Sequence, residues 1–147
     1  MIDSSSLQKY SLFGGVLPEQ IEKIKPLFGT QFFEKGQSAM REGEPNDRIF
    51  FIMSGKVEIT RQGVSIVTLG EGETFGEMEL LDTMPAIATV RVLEPSETVT
   101  ITNRAVYEIF KIDPKAFSLI IMNLARDLSR RLRHMDELAC KEPRGGA

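Results

Sequence analysis

The chain has 147 residues and a formal net charge of −3, enough for one domain with its own core and without the basic surplus that marks nucleic-acid binding by charge alone. Its hydrophobic and charged fractions, 41% and 27%, are those of an ordinary globular protein, and its longest apolar runs, such as Ile49 to Met53, are far too short to span a membrane. The single cysteine, Cys140, excludes an internal disulfide framework and an iron–sulfur cluster ligated by one chain; together with the polar start Met1 to Gln8, which lacks the apolar segment of a secretory signal, it points to the cytoplasm.

Residues 1–9 read as a flexible N-terminus. Tyr10 to Phe28 reads as helical with a break at Gly14-Gly15. Leu17-Pro18-Glu19-Gln20 opens a helix, because proline suits the first turn and an acid there suits the dipole. Leu17, Ile21, Ile24, Leu27 and Phe28 recur at helical spacing and predict one buried face.

From about residue 30 to residue 102 the signal becomes β. Short runs rich in β-branched and aromatic residues alternate with glycines. Ile49 to Met53 reads as a buried strand, and Val57 to Arg61 as one with alternating faces. Gln62-Gly63 is a tight turn into Val64 to Leu69, which predicts a hairpin. Gly43 and Gly55 read as turn glycines without a ligand role. A second hairpin is expected from Thr89 to Leu93 and Thr98 to Thr102 around Glu94-Pro95-Ser96-Glu97. Many short, evenly spaced strands predict a mainly β fold, a double-stranded β-helix or jelly-roll, with flanking helices.

Asn103 is the expected cap of a short helix, Ala105 to Phe110. Asp113-Pro114 opens a long helix to about residue 139, with Phe117, Ile121, Leu124, Leu128, Met135 and Leu138 on one stripe. Its first half can pack on the roll and its second half can pair with another copy, so a homodimer through this helix is expected. The domain is thus placed at 10–140, followed by a flexible tail at 141–147.

The stretch Phe75 to Val90 carries the functional signal. Phe75, Gly76, Glu77, Leu80, Leu81, Pro85, Ala88, Thr89 and Val90 resemble the phosphate-binding cassette of the cyclic-nucleotide-binding domain family, and the resemblance spans about Leu12 to Leu138. It implies a β roll with an N-terminal helical bundle and a long C-terminal helix. It also implies a sensor domain that binds cyclic AMP, with cyclic GMP less favoured, and that signals by moving the long helix. The ligand-binding residues it implies are Gly76, Glu77, Met78, Glu79, Leu80, Ala86, Ile87, Ala88, Thr89 and Arg131. Glu77 falls where the family's glutamate accepts the ribose 2′-hydroxyl, and Arg131 falls where a residue of the long helix covers the base. Free backbone N–H groups at the start of the short helix after Gly76 would face the phosphate.

Three positions depart from the family pattern. Ala86 replaces the arginine whose planar fork grips the phosphate. Ile87 replaces a small or hydroxyl residue, and Glu79 replaces a small one. The segment therefore carries Glu77, Glu79 and Asp82 and no cation. Arg41 and Arg91 are the candidates for substituting one. Thr74-x-x-Glu77 also matches a capping box, a structural use for Glu77. The alternative reading is the same fold without nucleotide binding, serving as a dimerising or regulatory scaffold.

Catalysis is not expected. The one histidine, His134, lies outside the roll, so no multi-histidine metal centre is available and no cofactor is implied. No nucleophile–base grouping and no phosphate loop with lysine is present. No helix-turn-helix follows the long helix within this chain.

Overall fold

In a computed structural model that describes residues 3–141, a mainly antiparallel β sheet is flanked by helices. The elements in order are α1 (Ser4–Leu7), a 3₁₀ turn at Ser11–Phe13, α2 (Pro18–Ile24), a second 3₁₀ turn at Lys25–Leu27, β1 (Gly29–Phe33) and β2 (Ser38–Met40). Then follow β3 (Arg48–Arg61), β4 (Val64–Gly70), β5 (Thr74–Phe75), α3 (Glu77–Asp82), β6 (Thr89–Thr102), α4 (Asn103–Ile112) and α5 (Pro114–Lys141). No described helix is long and apolar enough to cross a membrane.

The expected flexible N-terminus is corrected from residue 3 onward. Asp3 caps α1 by accepting from the Ser5 N–H, Ser4 Oγ donates to Glu22, and Leu7 is fully buried against α2 and α5. A four-residue helix has too few bonds to stand alone, so packing holds it, and sequence periodicity could not reveal that. The proposed tail falls mostly outside the described residues; α5 extends to Lys141.

The sheet order is β1-β6-β3-β4, with β2 paired to β6 and β5 to β3. The Gln62-Gly63 turn closes the β3–β4 hairpin as expected, both residues having positive φ (51° and 78°), as a two-residue primed turn requires. The second hairpin is corrected. Residues 89–102 form one strand, and β6 runs antiparallel to the whole of β3, from Arg48↔Thr102 to Thr60↔Thr89. Nor is Gly55 a turn residue. It lies inside β3 with φ 103°, where the register with β6 shifts. Ser96 and Pro95 press against it from β6, and Ser96 Oγ accepts from the Lys56 N–H and donates to the Glu94 carbonyl. A glycine and a proline that read as two breaks are thus one bulge seen from two strands.

Alternation along β3 explains its unbroken apolar run. Ile49 and Phe51 face the helices, in a core with Leu12, Phe13, Ile24 and Leu124. Phe50 and Ile52 face the roll's interior, in a second core with Phe33, Val57, Leu69 and Phe75. The cap of α4 is Thr102, whose Oγ1 accepts from the Ala105 N–H, one residue before the expected Asn103. Asp113 caps α5 through the Ala116 N–H. The stripe predicted for the first half of α5 is offset by one residue: Ala116, Ile120 and Leu124 are buried, Phe117 and Ile121 are only half-buried, and Leu132, Met135 and Leu138 are exposed. Asn123 clamps α5 to the N-terminal segment. Its Nδ2 donates to the carbonyls of Leu12 and Gly14, both at 3.0 Å.

Candidate functional site

The site is built where β5 turns into α3. Gly76 is the N-cap of α3 with φ 87°, and a Cβ there would lie 2.6 Å from the Arg48 carbonyl oxygen, so only glycine fits. Asn46 fixes this turn by donating to the carbonyls of Arg48 and Gly76. Phe75 stacks on Phe50 with ring centroids 4.6 Å apart. The backbone behind α3 is thereby anchored in the core, and the first residues of the helix face a cleft.

That cleft has a water-accessible volume of about 70 Å³. Of the sequence-predicted residues it gathers Gly76, Glu77, Met78, Glu79, Ile87, Ala88 and Arg131. It does not gather Leu80, Ala86 or Thr89. Leu80 packs towards the helix-side core, and Thr89 Oγ1 accepts from the Glu42 N–H. Ala86 is buried in the roll's core, with its N–H on the Glu44 carbonyl and its carbonyl accepting from Gly43. Met40, Ile59, Phe75 and Val90 complete the wall. Among these, Met40 and Ile59 come from strands distant in sequence and were missed, although Ile59 sits on the alternating face of its strand. Arg41 and Arg91 are both exposed and do not line the cleft.

Glu77 is 3% exposed and bound to α5. Its Oε1 accepts from Arg131 Nη1 at 2.8 Å, while Arg131 Nη2 donates to the Thr74 carbonyl at 2.6 Å. The expected capping box is therefore corrected: α3 has no side-chain cap, Thr74 lies in β5, and the Glu77 carboxylate turns to the helix instead. Burial pushes the Glu77 carboxyl up, and the Arg131 guanidinium opposes that shift. Arg131, which the resemblance puts over a bound base, has its guanidinium on Glu77 in the structure.

Glu79 is different. It is 5% exposed, and among the described residues no other side chain bonds its carboxyl group and no cation pairs with it; its own backbone N–H is the donor it has. Burial, then Glu77, then Asp82 push its pKa up to about 7. A carboxyl whose folded pKa lies above its unfolded value favours folding while both states are protonated, and that advantage is lost as pH rises through 7. Glu79→Gln should therefore unfold like the native chain near pH 4 and be more stable by about 2 kcal/mol at pH 8. Urea midpoints at the two pH values check this; an equal difference at both would refute it.

No group of three or more acids, histidines or cysteines able to hold a metal exists among the described residues. With its one cation spent on Glu77, the cleft presents one uncompensated carboxyl and apolar walls.

A sequence profile described as "Cyclic nucleotide-binding domain" matches residues 30–113, more than half of the chain. The chain is 30% identical over 130 residues to the Cyclic AMP receptor protein of Thermus thermophilus, covering 85% of this chain and 58% of that protein. It is 26% identical over 137 residues to the CRP-like cAMP-activated global transcriptional regulator of Mycobacterium tuberculosis, covering 90% and 61%. It thus spans about three fifths of the length of these relatives. Among solved structures, the catabolite activator protein of T. thermophilus superposes with a TM-score of 0.76 at 30% identity, over 88% of this chain and 62% of that one. A cyclic nucleotide-binding domain from Methylobacillus flagellatus superposes with a TM-score of 0.85 over 99% and 85%, at 22% identity, and so speaks for the fold alone. The cassette turn at Gly76, the β roll and these matches agree, and the chain belongs to the cyclic nucleotide-binding domain family.

Proposed function

We propose that this domain is a non-catalytic regulatory module in which the state of the cassette cleft is passed to α5 through the Arg131–Glu77 pair, and that cyclic AMP enters the cleft only weakly. The observation that carries this reading is the pair itself, the one charged bond joining α3 and the second half of α5 among the described residues. A ribose hydroxyl arriving at Glu77 competes with Arg131 for the same carboxylate, so a guest there differs in affinity between the two positions of α5, as any ligand-driven shift requires. Ligand pockets for molecules of drug size hold roughly 300–1,000 Å³, against about 70 Å³ here, so entry also requires the arginine to leave.

The weakness follows from charge. A cyclic phosphate at the start of α3 meets Glu79 and no free cation. The scaffold reading is favoured by the same fact and by the exposed Leu132, Met135 and Leu138, which suit a second copy of α5.

Two measurements test the proposal. Arg131→Ala should raise hydrogen exchange about tenfold in α5 beyond Leu128; unchanged exchange would remove the coupling. Calorimetry of the native chain should give a cyclic AMP Kd of 100 µM or weaker, in line with a loss of about 2 kcal/mol or more of phosphate binding. Micromolar binding would overturn the charge argument, and no heat at 10 mM ligand would hand the function to the scaffold reading.

A further inference from the structure

We infer that the cassette cleft is a site for a small organic cation, an alkylammonium group with a short apolar body, whose charged end meets the Glu79 carboxylate. The inference rests on the cleft being the ligand site of this domain, and it names the chemistry the cleft selects.

A buried carboxyl ordinarily has a partner, because an ionised group without one loses its hydration for nothing in return. Glu79 is 95% buried and has no cation beside it among the described residues, only the N–H of its own backbone, yet no buried side-chain oxygen of the described residues is left unbonded. Its oxygens therefore keep a small accessible surface, and Glu79 lines the cleft. A guest in the cleft can therefore reach the carboxyl group.

The surrounding charges decide the sign of that guest. On α3, Glu77, although paired with Arg131 from α5, and then Asp82 add negative potential at Glu79. Asp127 of α5 raises Glu77 in the same sense. From the roll, the walls are Met40, Ile59, Ile87, Ala88 and Val90, all uncharged. A cation thus gains a full charge-assisted hydrogen bond, an alkyl body gains apolar contact, and an anion gains neither.

Size narrows the class further. At roughly 10–15 Å³ per water-sized probe, about 70 Å³ holds some five to seven light atoms. A primary amine on a chain of three or four carbons fits without displacing Arg131, which a nucleotide cannot do. Protonation adds a signature. Glu79 is pushed up to about 7, so the charged form that binds a cation grows from about a tenth to about nine tenths between pH 6 and pH 8.

The test is a titration of the full chain with n-butylammonium chloride, followed by amide NMR shifts at pH 8. Saturable shifts confined to residues 76–80 and 87–90 are expected, with affinity falling about tenfold at pH 6 and at least tenfold in Glu79→Gln. Sodium butyrate and sodium chloride at equal concentration should leave those amides in place. Equal shifts with butyrate, shifts that never saturate, or an unaffected Glu79→Gln that folds with native amide dispersion would each overturn the inference. Glu79→Ala serves as the second variant should the glutamine form fold poorly. Failure here with exchange in α5 still responding to Arg131→Ala defeats the cation site alone. A lack of response in both defeats the cleft as a controlling site.

Discussion

Glu79→Ala should bind cyclic AMP roughly thirtyfold more tightly than the native chain at pH 8. The carboxylate stands in the first turn of α3, where a cyclic phosphate would take the helix N–H groups. Two unit charges about 4 Å apart repel by roughly 4 kcal/mol at an effective dielectric near 20. Halving that for the open side of the cleft leaves about 2 kcal/mol, or about thirtyfold. Adding Ala86→Arg supplies a forked donor and should contribute a further tenfold or more. Ala86 is buried with both backbone groups bonded to the 43–44 turn, so the arginine must emerge past Ile87, and the double variant is compared with Glu79→Ala by thermal midpoint before its affinity is read. Calorimetry at pH 8 and pH 5 measures the effect. At pH 5 the native carboxyl is protonated and the advantage of Glu79→Ala should shrink to severalfold or less. Equal gains at both pH values would show that the side chain's bulk, and not its charge, opposes the nucleotide.

The larger effect on stability is expected at Gly55. A methyl group there would lie 2.1 Å from Ser96 Oγ and 2.6 Å from the Pro95 carbonyl oxygen, on a residue with φ 103°. A non-glycine residue held at such a φ costs about 1–3 kcal/mol, and overpacking a filled site costs about 1–3 more. Ser96 cannot yield, because it is fully buried and bonds both Lys56 and Glu94. Gly55→Ala should therefore destabilise the domain by about 4 kcal/mol, a large part of a typical total, and lower the melting midpoint by more than about 10 °C. Gly36→Ala is the control. Its φ is 90°, but nothing lies within 4 Å of the added methyl, so only the backbone cost of about 1–2 kcal/mol applies. Equal losses at the two glycines would mean that the β3–β6 bulge is not tightly packed.

The roll, the cassette turn and α5 were legible because each writes a local pattern: alternation, a glycine before an acidic turn, a helical stripe. The errors came where one local pattern has two physical origins. Gly55 and Pro95 look like separate turns from sequence, yet they face each other across a bulge. Thr74 and Glu77 match a capping box, but Thr74 is committed to β5 and the carboxylate finds a guanidinium 54 residues away. Thr102 and Asn103 are both good caps, and adjacent candidates cannot be ranked without backbone geometry. At the site, it was readable that Ala86 stands where the resemblance places an arginine. That Arg41 and Arg91 do not line the cleft, and that Glu79 lies buried with no cation beside it, depended on side-chain directions that spacing does not encode.

The clamp formed by Asn123 would set a pivot for the proposed motion of α5. Because its amide ties α5 to the carbonyls of Leu12 and Gly14, the helix upstream of it is held to the N-terminal turns, and in the proposed signalling release of Arg131 would swing only the arm beyond. The exchange foreseen for Arg131→Ala should accordingly fade out before residue 123. An output attached to the N-terminal side would sit on the stationary half of the lever, and one attached past Arg131 would travel with its tip.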